Sequence, residues 1–179
     1  MPTLGRLSHI VIHVNDMDKM VAFYRDVMGM KITHEGGGGA FKMTFLTSDP
    51  AYEDHEIGLF SGRNGEAKSN VLVHYCWRVP TIEDVRAFYK RFVELGVPID
   101  ECVSYAYPWG EEATISCYFQ DPEGNQLELQ AFVDLDPNLE DRSVVALDFT
   151  QSVEEITALA QRRVPATVTR ASYQTAPAR

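Results

Sequence analysis

Two stretches of the chain alternate apolar and polar residues in a pattern that predicts a β-strand followed by a helix. Residues 7–13 and 71–78 are rich in Val, Ile, Leu and aromatic residues, which is typical of strands. Apolar residues then recur at the spacing of one helix face. They are Met17, Met20, Val21, Tyr24, Val27 and Met28 in the first helix, and Ile82, Val85, Phe88, Tyr89, Phe92 and Val93 in the second. Gly29 and Gly96 are expected to end these helices.

Shorter strand-like segments follow each helix, with turn-forming residues between them. They lie at 30–34, 41–47 and 56–60 after the first helix, and at 99–105, 113–119 and 126–132 after the second. Turns are predicted at 36–39, 48–50 and 121–125, because glycine, proline and aspartate favour chain reversals. Each half of the chain therefore has the element order βαβββ.

An internal repeat relates the two halves. Leu7-Ser8-His9-Ile10 recurs as Leu72-Val73-His74-Tyr75, and Ala22-Phe23-Tyr24-Arg25 recurs as Ala87-Phe88-Tyr89-Lys90, both with an offset of 65 residues. A single βαβββ unit leaves one sheet face uncovered, so two units are expected to combine around a shared core or cleft. The predicted fold is α+β, with modules at about 5–62 and 70–133 that form a curved mixed sheet within a domain of residues 1–134.

Three residues have the chemistry and placement of metal ligands. His9 and His74 occupy equivalent positions in the two first strands, and Glu128 lies in the last strand between two leucines. A carboxylate in the middle of a sheet is costly to bury unless it is paired or binds a cation. A single strand histidine is more often structural, but two at duplicated positions favour ligation. Two histidines and one carboxylate form the facial set used for non-haem iron(II).

Two longer motifs resemble a known family. Leu7-Ser8-His9-Ile10-Val11-Ile12-His13-Val14 with Phe23-Tyr24-Arg25-Asp26-Val27-Met28-Gly29 resembles the opening of the vicinal oxygen chelate superfamily, and Tyr118-Phe119-Gln120-Asp121-Pro122-Glu123-Gly124-Asn125-Gln126-Leu127-Glu128-Leu129 resembles its close. The superfamily includes glyoxalase I, fosfomycin-resistance proteins and type I extradiol ring-cleavage dioxygenases. The resemblance implies a divalent metal on His9, His74 and Glu128, with Fe(II) favoured and Mn(II), Ni(II) or Zn(II) as alternatives. It also implies a homodimer.

The fourth coordination position distinguishes the branches of this superfamily. Glyoxalase-like members fill it from the last strand of the first module. Alignment of that strand with the last strand of the second module places Gly58 at the position of Glu128, which would leave the fourth site open for a catecholate and dioxygen. A shift of two residues would instead supply Glu56, and would favour lyase or isomerase chemistry.

Further residues are expected to contact the substrate. By resemblance to extradiol dioxygenases, Tyr118 would donate a hydrogen bond to a substrate oxygen. The acid–base histidine of those enzymes is absent between Val103 and Cys117, so His55 or a tyrosine would have to replace it. The aromatic cluster of Tyr105, Tyr107 and Trp109 is expected to line a pocket for an aromatic substrate.

These features lead to one hypothesis with two alternatives. The favoured function is an iron(II) extradiol-type dioxygenase that cleaves a catechol-like aromatic diol with O2, as in aromatic compound degradation. The first alternative is a lyase, isomerase or thiol transferase of the same fold that uses its metal as a Lewis acid. The second is a non-catalytic resistance protein that binds an aromatic ligand or antibiotic.

Composition limits the remaining possibilities. The chain has 179 residues and a net charge of −10 with dispersed Lys and Arg, which disfavours nucleic-acid binding. Its three cysteines are too few for a disulfide framework and fit a reducing cytoplasm. The apolar runs are too short to span a membrane. Residues 135–179 are expected to form a C-terminal extension with a short helix at about 152–163, started by a capping box of Ser152 and Glu155.

Overall fold

The computed structural model describes residues 8–51, 54–63, 74–106, 112–134 and 144–161, with the backbone alone described at 105, 106 and 112. The chain divides into two compact units, one of residues 1–72 with 121–125 and the other of residues 73–120 with 126–179. Each unit contains one βαβββ module and its own sheet. The predicted α+β class and the duplicated βαβββ order are confirmed.

The first module builds a four-stranded sheet. Its elements are β1 (Ile10–Val14), α1 (Met17–Ala22), β2 (Lys31–Gly38), β3 (Phe41–Thr47) and β4 (Ile57–Ser61), with a π-helical turn at Phe23–Val27 after α1. The strand order is β1-β4-β3-β2, in which β1 and β4 are parallel and the other pairs antiparallel. This parallel pairing places β1, which His9 directly precedes, next to β4, the last strand of the module.

The second module repeats this arrangement with an added edge strand. Its elements are β5 (Tyr75–Arg78), α2 (Ile82–Leu95), β6 (Ile99–Ala106), β7 (Glu112–Gln120) and β8 (Gln126–Asp134), followed by β9 (Val144–Ala146) and α3 (Val153–Ala160). The sheet order is β5-β8-β7-β6-β9, and β5 is again parallel to β8. The three-residue strand β9, which pairs with β6, was not predicted from the sequence.

Local capping chemistry sets the ends of α2. The hydroxyl of Thr81 accepts a hydrogen bond from the backbone N–H of Asp84, and the Asp84 carboxylate accepts one from the N–H of Thr81. Gly96, with φ of 68°, adopts the left-handed conformation that ends the helix. Phe92 is fully buried on the inner face of α2 and packs against Phe119, with the ring centroids 4.3 Å apart.

The glycine-rich segment does not form the predicted four-residue turn. Strand β2 continues through Gly38, and the reversal occurs at Gly39 and Ala40. The glycines instead allow the hairpin to close tightly: a Cβ on Gly37 would lie 2.1 Å from the carbonyl oxygen of Phe41. Glycine permits both this approach and a φ of 123° at Gly37.

The 121–125 turn is held together by a buried carboxylate. Asp121 accepts hydrogen bonds from the hydroxyl of Tyr24 at 3.1 Å, from the side-chain amide and backbone N–H of Asn125 at 2.7 and 3.0 Å, and from the N–H of Glu123 at 2.9 Å. Glu123 in turn forms an ion pair with Arg63 at 2.9 Å. The acidic residues of this motif therefore act as hydrogen-bond acceptors within the first unit.

Substitution of Asp121 should test this role. Asp121→Ala leaves the donors of Tyr24, Asn125 and Glu123 without their acceptor, so we expect a loss of about 3 kcal/mol in the free energy of unfolding, measured by urea denaturation. Asp100→Ala is the matched control, because Asp100 is exposed and accepts from two glutamine side chains. Equal losses in the two variants would contradict a special role for Asp121.

Candidate metal centre

Strand register shows which residues of the two modules are equivalent. In the second module Cys76 lies opposite Glu128 on the parallel strands β5 and β8. In the first module Val11 lies opposite Gly58 on β1 and β4. Since Val11 and Cys76 are related by the 65-residue repeat, Gly58 occupies the position that Glu128 occupies in the second module.

Glu128 is a buried carboxylate whose neighbours include a candidate metal ligand. The residue is 3% exposed, and its Oε2 lies 3.1 Å from Nε2 of His74. The side-chain amide of Gln130 donates to its other oxygen at 3.2 Å. Partial burial and the adjacent Glu128 carboxylate raise the pKa of the Cys76 thiol to about 12, so this thiol stays protonated at neutral pH. His74 and Glu128 thus bring a nitrogen and an oxygen atom, both of types that bind metals, next to each other.

Tyr118 completes this cluster on the neighbouring strand. It lies directly opposite Glu128 in the antiparallel pairing of β7 with β8. Its ring meets the ring of His74 edge-on, with the centroids 5.4 Å apart, and the residue is 8% exposed. The second unit therefore brings together three of the predicted site residues, His74, Glu128 and Tyr118.

His9 and His55 lie together in the first unit. Their ring centroids are 4.4 Å apart, and Nδ1 of His9 lies 2.8 Å from the hydroxyl oxygen of Ser8. Nδ1 of His55 lies 2.7 Å from a carboxylate oxygen of Asp54. This hydrogen bond from His55 is the main cause that lowers the pKa of Asp54. The carboxylate orients the His55 ring and leaves its Nε2 for other contacts.

His34 is a neighbour of His55 that was not identified as a site residue from the sequence. The ring of His34 stacks on Phe45 at 4.1 Å and lies 6.1 Å from the ring of His55, measured between centroids. Its Nδ1 is 4.0 Å from Asp54. The pairing of β2 with β3 carries a register shift between Ile32 and His34, which places His34 opposite Phe45. Strand alternation alone gives no signal for such a shift.

The first module presents no carboxylate that matches Glu128. Gly58 is closely surrounded, since a Cβ there would lie 3.1 Å from Cγ2 of Val11 and 3.4 Å from the ring of Phe45. The carboxylate of Glu56 accepts a hydrogen bond of 2.6 Å from the backbone N–H of Ser48. Glu56 is thus engaged with the loop after β3.

Not all the predicted site residues are described. Tyr107 and Trp109 lie outside the described residues, and Tyr105 is described by its backbone in β6. Within the described ranges, no group of three or more His, Cys, Asp or Glu side chains has the geometry to hold a metal ion. Of the three predicted ligands, His74 and Glu128 lie together in the second unit, and an imidazole and a carboxylate suit a divalent transition metal.

The fold defines the class of protein to which this chain belongs. Duplicated βαβββ modules, each with parallel first and last strands, define a glyoxalase-type fold. Residues 6–129 match the family model described as Glyoxalase/Bleomycin resistance protein/Dioxygenase superfamily. The chain belongs to this superfamily.

Individual relatives differ in activity. The chain is 30% identical to biphenyl-2,3-diol 1,2-dioxygenase 3 of Rhodococcus globerulus over 135 residues, which cover 73% of this chain and 65% of that enzyme. It is 23% identical to lactoylglutathione lyase of Haemophilus influenzae over 133 residues, which cover 69% and 90%. The fosfomycin resistance protein FosX of Listeria monocytogenes, solved with Mn(II) and a sulfate ion, superposes with a TM-score of 0.51 at 21% identity and 72% and 93% coverage. The similarity to FosX is a similarity of fold alone.

None of the described helices is long and apolar enough to cross a membrane.

Replacement of Glu128 should distinguish a functional from a structural carboxylate. A buried carboxylate that is kept for ligand binding lowers the stability of the metal-free protein. Loss of one partner alone would leave the other without its contact, so we expect the double substitution His74→Leu with Glu128→Leu to raise the free energy of unfolding by about 1–2 kcal/mol in the presence of a chelator, measured by urea denaturation. Glu101→Leu is the control on β6 of the same sheet, where the carboxylate is exposed, and should change stability by less than about 0.5 kcal/mol. Destabilisation by the double substitution would assign the pair of His74 and Glu128 to the stability of the fold.

Proposed function

We propose that this protein is a metal-dependent extradiol-type dioxygenase that cleaves a catechol-like aromatic diol with O2. The observation that carries the proposal is the register of the two modules, which places Gly58 where the second module has Glu128. A metal held by two histidines and Glu128 would have no fourth protein ligand from this position, as the binding of a diol and O2 requires. The 30% identity to a biphenyl-2,3-diol dioxygenase supports the same reaction class.

The proposed metal ligands are His9, His74 and Glu128, with Fe(II) as the favoured ion. The approach of His74 to Glu128 and the burial of the carboxylate support two of them. His9 is proposed because it is the repeat equivalent of His74. A bound Fe(II) would supply a Lewis acid for the diol and a redox centre for O2.

Tyr118 and His55 are the proposed groups that act on the substrate. The position of Tyr118 beside His74 and Glu128 lets its hydroxyl donate a hydrogen bond to a diol oxygen. His55, oriented by Asp54 through Nδ1, would accept a diol proton at Nε2 and replace the histidine absent between 103 and 117. Tyr105, Tyr107 and Trp109 are proposed to contact the substrate ring.

Metal analysis should test the ligand set. We expect the purified wild-type chain to bind a single divalent ion and both His74→Ala and Glu128→Gln to lose it, because each removes a direct donor. Glu101→Gln is the control, since it neutralises an exposed carboxylate on β6 of the same sheet. The measurement is elemental analysis after anaerobic loading with Fe(II). Metal content that does not change in His74→Ala and Glu128→Gln would contradict the proposed site and favour a metal-free binding protein.

Oxygen uptake should test the reaction. With Fe(II)-loaded protein and a panel of catechols, we expect consumption of O2 with formation of ring-cleaved product. Tyr118→Phe and His55→Gln should each lower kcat by about 100-fold, because each removes a group that donates or accepts a proton. His13→Gln should have little effect, since His13 lies at the end of β1 away from His9. Its Nδ1 is 3.2 Å from the backbone carbonyl oxygen of Ser61. Isomerase or thiol-transfer activity without O2 uptake would refute the dioxygenase.

A further inference from the structure

A cation stacked on an aromatic ring lies on the same sheet as Glu128 but has no part in the proposed chemistry. The guanidinium carbon of Arg78 is 4.0 Å from the centroid of the Phe132 ring. Together with Val79 and Pro80, these two residues line a groove of about 520 Å³. All four residues belong to the second unit.

Strand register places this pair on the face that carries the candidate metal ligands. Cys76 lies opposite Glu128, and Arg78 lies opposite Gln130 on the same parallel strands. Since side chains two residues apart point to the same face, Glu128, Gln130 and Phe132 share one face of β8. At about 3.3 Å per residue, Phe132 lies about 13 Å along the strand from Glu128. The groove is therefore separated from the diol position by the length of a small substituted ring.

Arg78 is available to bind an anion. Its side chain is exposed, and it takes part in none of the ion pairs formed among the described residues. By contrast, Arg63 is paired with Glu123. The carboxylate of Asp84, in the first turn of α2, is engaged by the N–H and hydroxyl of Thr81. Among the residues that the structure describes, no carboxylate occupies the N–H groups at the edge of the Arg78 guanidinium, which can therefore donate to a ligand.

We propose that Arg78 and Phe132 form a specificity subsite for a carboxylate on the side chain of the aromatic substrate. The inference rests on the proposed function, because the diol end of the substrate is placed by His74, Glu128 and Tyr118. A planar guanidinium binds a carboxylate through two parallel hydrogen bonds. The ring of Phe132 holds the guanidinium flat and offers an apolar surface to the linker. The substrate class is a catechol with a short alkanoate chain.

The charge of the chain makes this subsite necessary for such a substrate. A net charge of −10 repels an anion at long range, so an anionic substrate requires a local cation. If Arg78 served packing alone, its loss would weaken acidic and neutral substrates equally. A subsite predicts a selective effect on the acid, seen in KM and not in kcat, because the contact is the same in the bound substrate and the transition state.

Matched substrates should test the subsite in the full Fe(II)-loaded chain. For Arg78→Gln we expect KM for dihydroxyphenylpropanoate to rise by about 30-fold, with kcat and the KM of its methyl ester nearly unchanged. Arg25→Gln is the control, because Arg25 pairs with the adjacent Asp26 in the first unit. Phe132→Leu gives a second route if Arg78→Gln does not fold, and should raise KM for the acid by a few-fold. Equal effects on acid and ester, or none, would overturn the subsite.

Binding without turnover separates this proposal from the dioxygenase. Calorimetry with phenylpropanoate and phenylpropanol, which lack the diol, should show that wild type prefers the acid and that Arg78→Gln loses this preference. If no diol is oxidised but this preference is present and depends on Arg78, the dioxygenase proposal fails and the subsite stands. If diols are oxidised and Arg78→Gln binds the acid as wild type does, the subsite fails and the dioxygenase stands.

Discussion

The parallel pairing of β5 with β8 is the constraint on which the chemistry of the second module depends. It places Cys76 opposite Glu128 and Arg78 opposite Gln130. A slip of one residue would turn Glu128 to the opposite face of the sheet. The two leucines that flank it prevent this, because Leu127 and Leu129 are 0% and 1% exposed and would lose that burial. Apolar packing on one face therefore fixes a carboxylate on the other, and the antiparallel strand β7 adds Tyr118 beside it.

The same pairing in the first module carries different side chains. Gly58 replaces the carboxylate, and the space that a side chain would need is occupied by Val11 and Phe45. The chemistry of this module is shifted to the residues before β4, where Asp54 orients His55 next to His9. Duplication thus preserved the backbone pairing while the two modules diverged in the groups that the pairing displays.

The parts predicted from the sequence are those set by local periodicity and capping. Strand β3 has the predicted limits, and α2 ends at Gly96. The predicted turn at 36–39 was wrong, because glycine permits both a turn and a tightly paired hairpin. The close backbone approach at Gly37 decides between the two. The contact between Arg78 and Phe132 was missed for another reason. Periodicity assigns both residues to strands, but their contact depends on strand register and side-chain rotamer.

Two buried carboxylates of the closing motif show how one acidic segment divides between stability and chemistry. Asp121 receives four hydrogen bonds, which use the acceptor sites of a carboxylate. Glu128, equally buried, is approached by the amide of Gln130, by the weakly donating thiol of Cys76 and by the imidazole of His74. Asp121 is thus engaged by the donors around the turn that it holds together, whereas Glu128 lies beside a ring nitrogen that can bind the same cation. The kind of partner around each carboxylate, and not its burial, therefore separates the structural acid from the candidate ligand.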